Sequence, residues 1–140
     1  FVRSEMLTQD EVKIVQESYG RCLQDKGWIK NFYDILMKSS PEIPPHFNNT
    51  DFDKQISLLS NGISYLIMYA NGDSFAEAMV GNQVSSHDRY NLNIPPNLYV
   101  FWIESLIKSV KNCDPNFDLS IEQGWRKVVQ KGIDDLIKGY

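Results

Sequence analysis

Two tandem proline pairs, Pro44-Pro45 and Pro95-Pro96, cut the chain where no helix interior can pass. Around these breaks, apolar residues recur at helical spacing. Thr8 and Glu11 have capping-box spacing, and Val12, Val15, Tyr19, Cys22 and Leu23 follow as one face. Gly27 interrupts. Trp28, Ile29, Phe32 and Leu36, with Tyr33 beside them, then predict a second helix that stops at "SSPEIPP". Thr50 with Asp53 is read as the next cap, ahead of the clearest amphipathic stripe: Phe52, Ile56, Leu59, Ile63, Leu66, Ile67 and Ala70. "NGD" marks a turn, and Ser74 with Glu77 is read as a further capping box. Proline is tolerated in a first helical turn, so Pro95 and Pro96 open the next helix. There "NLYVFWIESLIKSV" is apolar on almost every side, which predicts a central helix covered by its neighbours. "CDPNFD" reads as a loop, and Ile121, Trp125, Val128, Val129, Ile133, Leu136 and Ile137 mark the last helix. No stretch alternates with a period of two, and no repeat or linker is evident. The expectation is an all-α fold of about six main helices, with residues 1–140 forming a single domain.

Composition narrows what such a fold can do. Hydrophobic residues make up 42% and charged residues 23% of 140 positions, enough to bury a core. The net charge of −4, without a long basic run, argues against nucleic acid or an anionic membrane surface as partner. No apolar run is long enough to span a bilayer. The N-terminal "FVRSEMLTQD" lacks the apolar middle of a signal peptide. Cys22 and Cys113 have no metal-type spacing. They are expected to be reduced, packed thiols in a cytoplasmic protein, with a disulfide between them as the unsupported alternative. No glycine-rich phosphate loop, nucleophile elbow, zinc pattern or carboxylate pair stands out.

His87 is then the main chemical candidate. It falls three residues after Val84 and seven after Val80, on their apolar face near a helix end. Such a histidine is most often a hydrogen-bonded core residue. One imidazole cannot hold zinc, which takes three or four protein donors. It can hold haem iron, because the porphyrin supplies four nitrogens. Tyr33 and Gln55 lie among apolar neighbours in earlier helices. Taken singly, they read as a core-edge tyrosine and an exposed helix residue.

Together these residues resemble the globin family, in its bacterial single-domain and flavohaemoglobin form, from about Thr8 to Tyr140. "NFYDILMKSSPEIPPHFNNTD" is similar to the family's second helix and following corner, with Tyr33 as the distal tyrosine and Phe47 as the corner phenylalanine. "DKQISLL" resembles the distal helix. It puts Gln55 where animal globins usually have histidine, and Leu59 over the iron. In "SSHDRYNLNIPPNLYVFW", His87 matches the proximal metal ligand, Ser86 its hydroxyl neighbour, Ile94 the contact below the ring, and Tyr99 a proximal-side tyrosine. The glutamate of the flavohaemoglobin proximal network has no counterpart, and the flavin and nicotinamide domains are not in this chain. His46 is read as an exposed loop histidine that lies within reach of a haem propionate.

The resemblance implies haem b and reversible binding of O2, NO and CO at ferrous iron, with Tyr33 and Gln55 donating hydrogen bonds to O2. It leaves three functions open. One is oxygen binding or transport, extended to NO dioxygenation with an external reductase. The second is a gas-sensor domain coupled to a signalling output. The third is a haem-less interaction module.

Overall fold

The computed structural model describes residues 7–88 and 93–140. Residues 1–6, which open the "FVRSEMLTQD" terminus, and 89–92 of the "SSHDRYNLNIPP" stretch lie outside the described residues. The described chain forms six α-helices: α1 (Gln9–Cys22), α2 (Trp28–Ser39), α3 (Phe52–Ala70), α4 (Ser74–His87), α5 (Tyr99–Cys113) and α6 (Leu119–Lys138). Short 3-10 turns at Pro44–Phe47 and Pro96–Leu98 absorb the proline pairs. No strand occurs among the described residues, in agreement with the all-α expectation.

The helix starts follow capping chemistry, with two shifts of one residue. Thr8 and Glu11 form the expected reciprocal box at α1. At α3 the cap is Asp51, not Thr50, and its carboxylate accepts from the backbone of Asp53 and Lys54. At α4 the cap is Asp73, not Ser74, and it accepts from Ala76 N–H. An aspartate reaches the free N–H groups of a first turn as well as serine or threonine does. Gly72 precedes this cap at φ +85°, a conformation that L side chains rarely adopt.

α2 lies along α5, α3 packs on α4 and α6, and α1 packs on α6. Phe32, Ile63, Leu106, Val110, Trp125, Val128 and Val129 are almost wholly withdrawn from solvent. Each such aliphatic side chain contributes roughly 1.5–3 kcal/mol. Gly132 lets α6 cross α3 closely, because a Cβ there would collide with the Leu66 side chain. α5 is less enclosed than its composition predicted. It buries Tyr99, Ser105, Leu106, Ile107, Ser109 and Val110, but Val100 in the first turn is 54% exposed.

One end of the helix stack is closed by polar bonds. Asp114 follows α5 with its side chain fully buried. It accepts from Ser18 Oγ at 2.6 Å, from Arg21 Nε at 2.6 Å and from Arg21 Nη2 at 3.0 Å. Trp125 Nε1 donates to Ser18 Oγ at 2.9 Å. Burial alone would raise the Asp114 pKa, but Arg21, Ser18 and the Asn116 N–H outweigh it and hold the carboxyl below its usual range. Beside this network the expectation of two free thiols is corrected. Cys22 and Cys113 form a disulfide across 91 residues, with Cα atoms 5.2 Å apart. The ends of α1 and α5 converge here, which sequence spacing cannot reveal.

Candidate functional site

The other side of the fold holds a cavity of about 660 Å³, bounded by parts of α2 to α6 and the turns between them. A volume of several hundred Å³ suits a cofactor or other small molecule. Tyr33, Phe47, Gln55, Leu59, Ser86, His87, Ile94 and Tyr99 all line it. Residues from five separate sequence segments therefore meet in one space.

His87 is the last residue of α4. Its Nδ1 lies 2.8 Å from Gln83 O, one turn back, and 3.0 Å from Ser86 Oγ. The carbonyl can only accept, so Nδ1 carries the proton and Nε2 keeps its lone pair. Burial lowers the His87 pKa, while the hydrogen bond to the Gln83 carbonyl pulls it the other way; the net shift is downward. The ring is thus neutral with one free donor nitrogen. Beyond it, Ile94 N–H donates to His87 O at 3.1 Å, which draws Ile94 back against the end of α4.

Across the cavity, Gln55 Nε2 donates to Tyr33 Oη at 3.1 Å. Gln55 sits one turn into α3 because Asp51 fixes where that helix begins. The tyrosine accepts this bond and keeps its own proton to donate. Burial pushes its pKa up to about 12, although the Gln55 bond acts in the opposite direction. The phenol ring is held edge-on by Phe47 at 5.9 Å and Phe52 at 5.6 Å, and those two rings stack at 6.0 Å. Phe52 is 37% exposed, so this aromatic corner reaches the surface. His46 lines the mouth and is exposed, as its loop position suggested.

Sequence reasoning missed Trp102, Gln83, Ile133 and Leu136, which also line the cavity. Helical spacing carried part of the signal. Gln83 is one turn before His87, and Trp102 is one turn after Leu98. Ile133 and Leu136 were placed on the last helix's apolar face, but nothing in the sequence distinguished cavity from core.

No family model and no curated protein matches the chain. A solved structure from Pseudomonas aeruginosa, described as structurally highly homologous to a human hemoglobin, superposes with a TM-score of 0.89. The two chains are 35% identical, over 93% of this chain and 98% of the other. The chain belongs to the globin family. In that fold the helices surround a haem pocket, and here the donor set suits such a group. Among the described residues no cluster of three or more His, Cys, Asp or Glu could hold a bare metal ion. One neutral imidazole facing an apolar cavity meets the requirement of a porphyrin iron, which asks one nitrogen of the protein. No helix among the described residues of this globin is long and apolar enough to cross a membrane.

Proposed function

We propose that the chain is a single globin domain that holds haem b through His87 Nε2 and binds O2, with NO and CO as competing gases. The carrying observation is the pairing, within one apolar cavity, of a neutral imidazole and a buried tyrosine hydroxyl that already accepts a bond from Gln55. When bound, haem would supply an iron able to bind a diatomic gas.

The chain's residues divide the work. Gln83 O fixes the His87 tautomer, and Ser86 Oγ restrains the ring. Leu59 and Ile94 keep the space apolar. Tyr33 Oη holds a proton toward a ligand that has gained negative charge, a bond worth roughly 1.5–3 kcal/mol. Gln55 orients the phenol and strengthens it as a donor, since an acceptor that is itself bonded polarises its own O–H. CO carries less charge and gains less. Such a site would retain O2 rather than exchange it quickly, which suits storage, sensing or, with electrons from an external reductase, reaction with NO. The Cys22–Cys113 disulfide removes the support that free thiols gave to a cytoplasmic setting, because disulfides are uncommon there.

The test is the visible spectrum of the purified protein, with and without added haem, and of His87→Gly. The expected result is a Soret band that shifts with O2 and CO. His87→Gly should lose most haem and regain it when free imidazole is supplied. Unchanged haem retention in His87→Gly would remove His87 as the ligand. NO consumption in the presence of a reductant then separates an enzyme from a binding protein.

A further inference from the structure

The charge of this chain is unevenly spread. Between residues 42 and 88 it carries Glu42, Asp51, Asp53, Asp73, Glu77 and Asp88 against one cation, Lys54. With histidines neutral, that stretch is net −5 in a chain of −4, so the remainder balances to +1. In the remainder, Arg21, Lys30, Arg126 and Lys127 each meet a carboxylate. Glu42, Asp51, Asp53, Asp73 and Glu77 are exposed, and none joins an ion pair among the described residues.

The same stretch leaves apolar surface uncovered. α3 and α4 are joined by the turn at residues 71–73 and run antiparallel. Tyr65 meets Phe75 edge-on at 6.2 Å, and further along a Cβ on Gly62 would lie 3.0 Å from Gln83 Nε2. Leu58, Asn61 and Tyr65 share one face of α3 by helical spacing, and Phe75, Met79 and Asn82 share one face of α4. Phe75 is 60% exposed and Leu58 53%. Leu58, Asn61, Met79 and Asn82 also line the cavity, so the cavity opens onto this face. Acids stand at both ends of the apolar strip. Asp73 and Glu77 lie at the start of α4, and Asp51 and Asp53 at the start of α3. The 19 residues of α3 set these ends about 28 Å apart.

A contiguous exposed apolar strip with a polar rim is the pattern of a protein contact. The charge of the rim selects what covers it. Two copies meeting through this face would set like charges against each other, which is unfavourable. Nucleic acid and anionic lipid are repelled for the same reason. We propose that the α3–α4 face docks a protein partner whose contact surface is apolar at its centre and basic at its margins, seated over the open side of the cavity. The inference needs this surface and not the haem, so it stands or falls apart from the function proposed above.

The probe is an amphipathic helical peptide with leucines along one face and lysines on both flanks, titrated into the full chain by calorimetry. One control peptide has glutamates for the lysines, and another has serines for the leucines. Only the first should bind, and hydrogen exchange should slow within residues 58–82. Phe75→Ser and Leu58→Ser, both at exposed positions, should each weaken binding about tenfold, as expected for an apolar anchor. Asp73→Asn with Glu77→Gln keeps a capping side chain and removes two charges. It should weaken binding about two- to fivefold at low salt and leave it unchanged at high salt. No binding, equal binding of either control, or affinity untouched by both serine variants overturns the proposal. A dimer of the chain alone, seen by sedimentation and dissolved by both serine variants, also overturns it and gives the face to a second copy.

Discussion

The two ends of this globin treat buried polar groups in opposite ways. Around Asp114, three helices and a loop converge and the polar side chains are matched: Ser18 bonds both Asp114 and Trp125, and Arg21 bonds Asp114 through two nitrogens. A disulfide sits at the same junction. Around His87 the walls are apolar, α4 buries only Ala76 and Val80, and the Tyr99 hydroxyl finds no partner among the described residues. The first arrangement fixes the helix stack. The second leaves donor atoms facing a space that something else must fill. Local stability differs across a fold in this way when ligand-binding segments are drawn from its weaker parts.

The largest test of this contrast removes Asp114. Asp114→Ala strands the Ser18 hydroxyl, the Asn116 N–H and the Arg21 guanidinium. Breaking a buried pair from one side typically costs about 3–5 kcal/mol. Arg21 keeps 30% of its side-chain surface in solvent, which argues for the lower part of that range. Urea unfolding followed by circular dichroism should show it. The same group sets an acid limit. The folded pKa of Asp114 is depressed, so its contribution is present above the ordinary aspartate pKa of about 3.9 and is lost as pH falls through the depressed value. Asp114→Asn should flatten that part of the acid unfolding curve. If neither variant loses more stability than Tyr99→Phe, the two ends do not differ in the way described.

A smaller effect is expected from the disulfide. Reduction, or Cys22→Ser with Cys113→Ser, frees a loop closed across 91 residues and should lower stability by about 2–4 kcal/mol. Neither cysteine lines the cavity, so the haem spectrum and the O2 affinity should change little. A large affinity change on reduction would show that the two ends are coupled through α5, which carries Tyr99 at one end and Cys113 at the other.

How much of this was legible in the sequence follows the same division. Helix positions depend on periodicity and caps, and both are local; the errors at Thr50 and Ser74 were single steps to an adjacent aspartate with equivalent chemistry. The residues assigned to the site converge on one cavity because their order along the chain resembled a known fold. The Asp114 network was not legible. A single carboxylate in "CDPNFD" looks like an ordinary loop residue, and its partners lie 93 and 96 positions away. The Cys22–Cys113 pairing was hidden for the same reason. The Tyr33–Gln55 pair was legible in part: the sequence placed both side chains in the pocket as donors to one ligand that could also bond each other, while the structure arranges them in series.

That difference between parallel and series sets the smallest and most discriminating prediction. If Tyr33 and Gln55 both donated directly to O2, Tyr33→Phe and Gln55→Leu would each raise the O2 dissociation rate to a similar degree. In the observed arrangement Gln55 donates to Tyr33; under the proposed function the tyrosine would then be the contact and the glutamine its support. Tyr33→Phe should therefore raise the O2 dissociation rate by about tenfold or more, at 1.4 kcal/mol per decade. Gln55→Leu should raise it by a smaller factor. In Tyr33→Phe the glutamine has lost its acceptor, so adding Gln55→Leu should change little more, and the double-mutant cycle should show strong coupling. CO dissociation should move far less in every variant, because the effect depends on charge on the ligand. Parallel shifts in O2 and CO would mean that the side chains act by bulk. Equal and additive effects of the two substitutions on O2 alone would restore two independent donors, and would require the amide of Gln55 to leave Tyr33 when a ligand arrives.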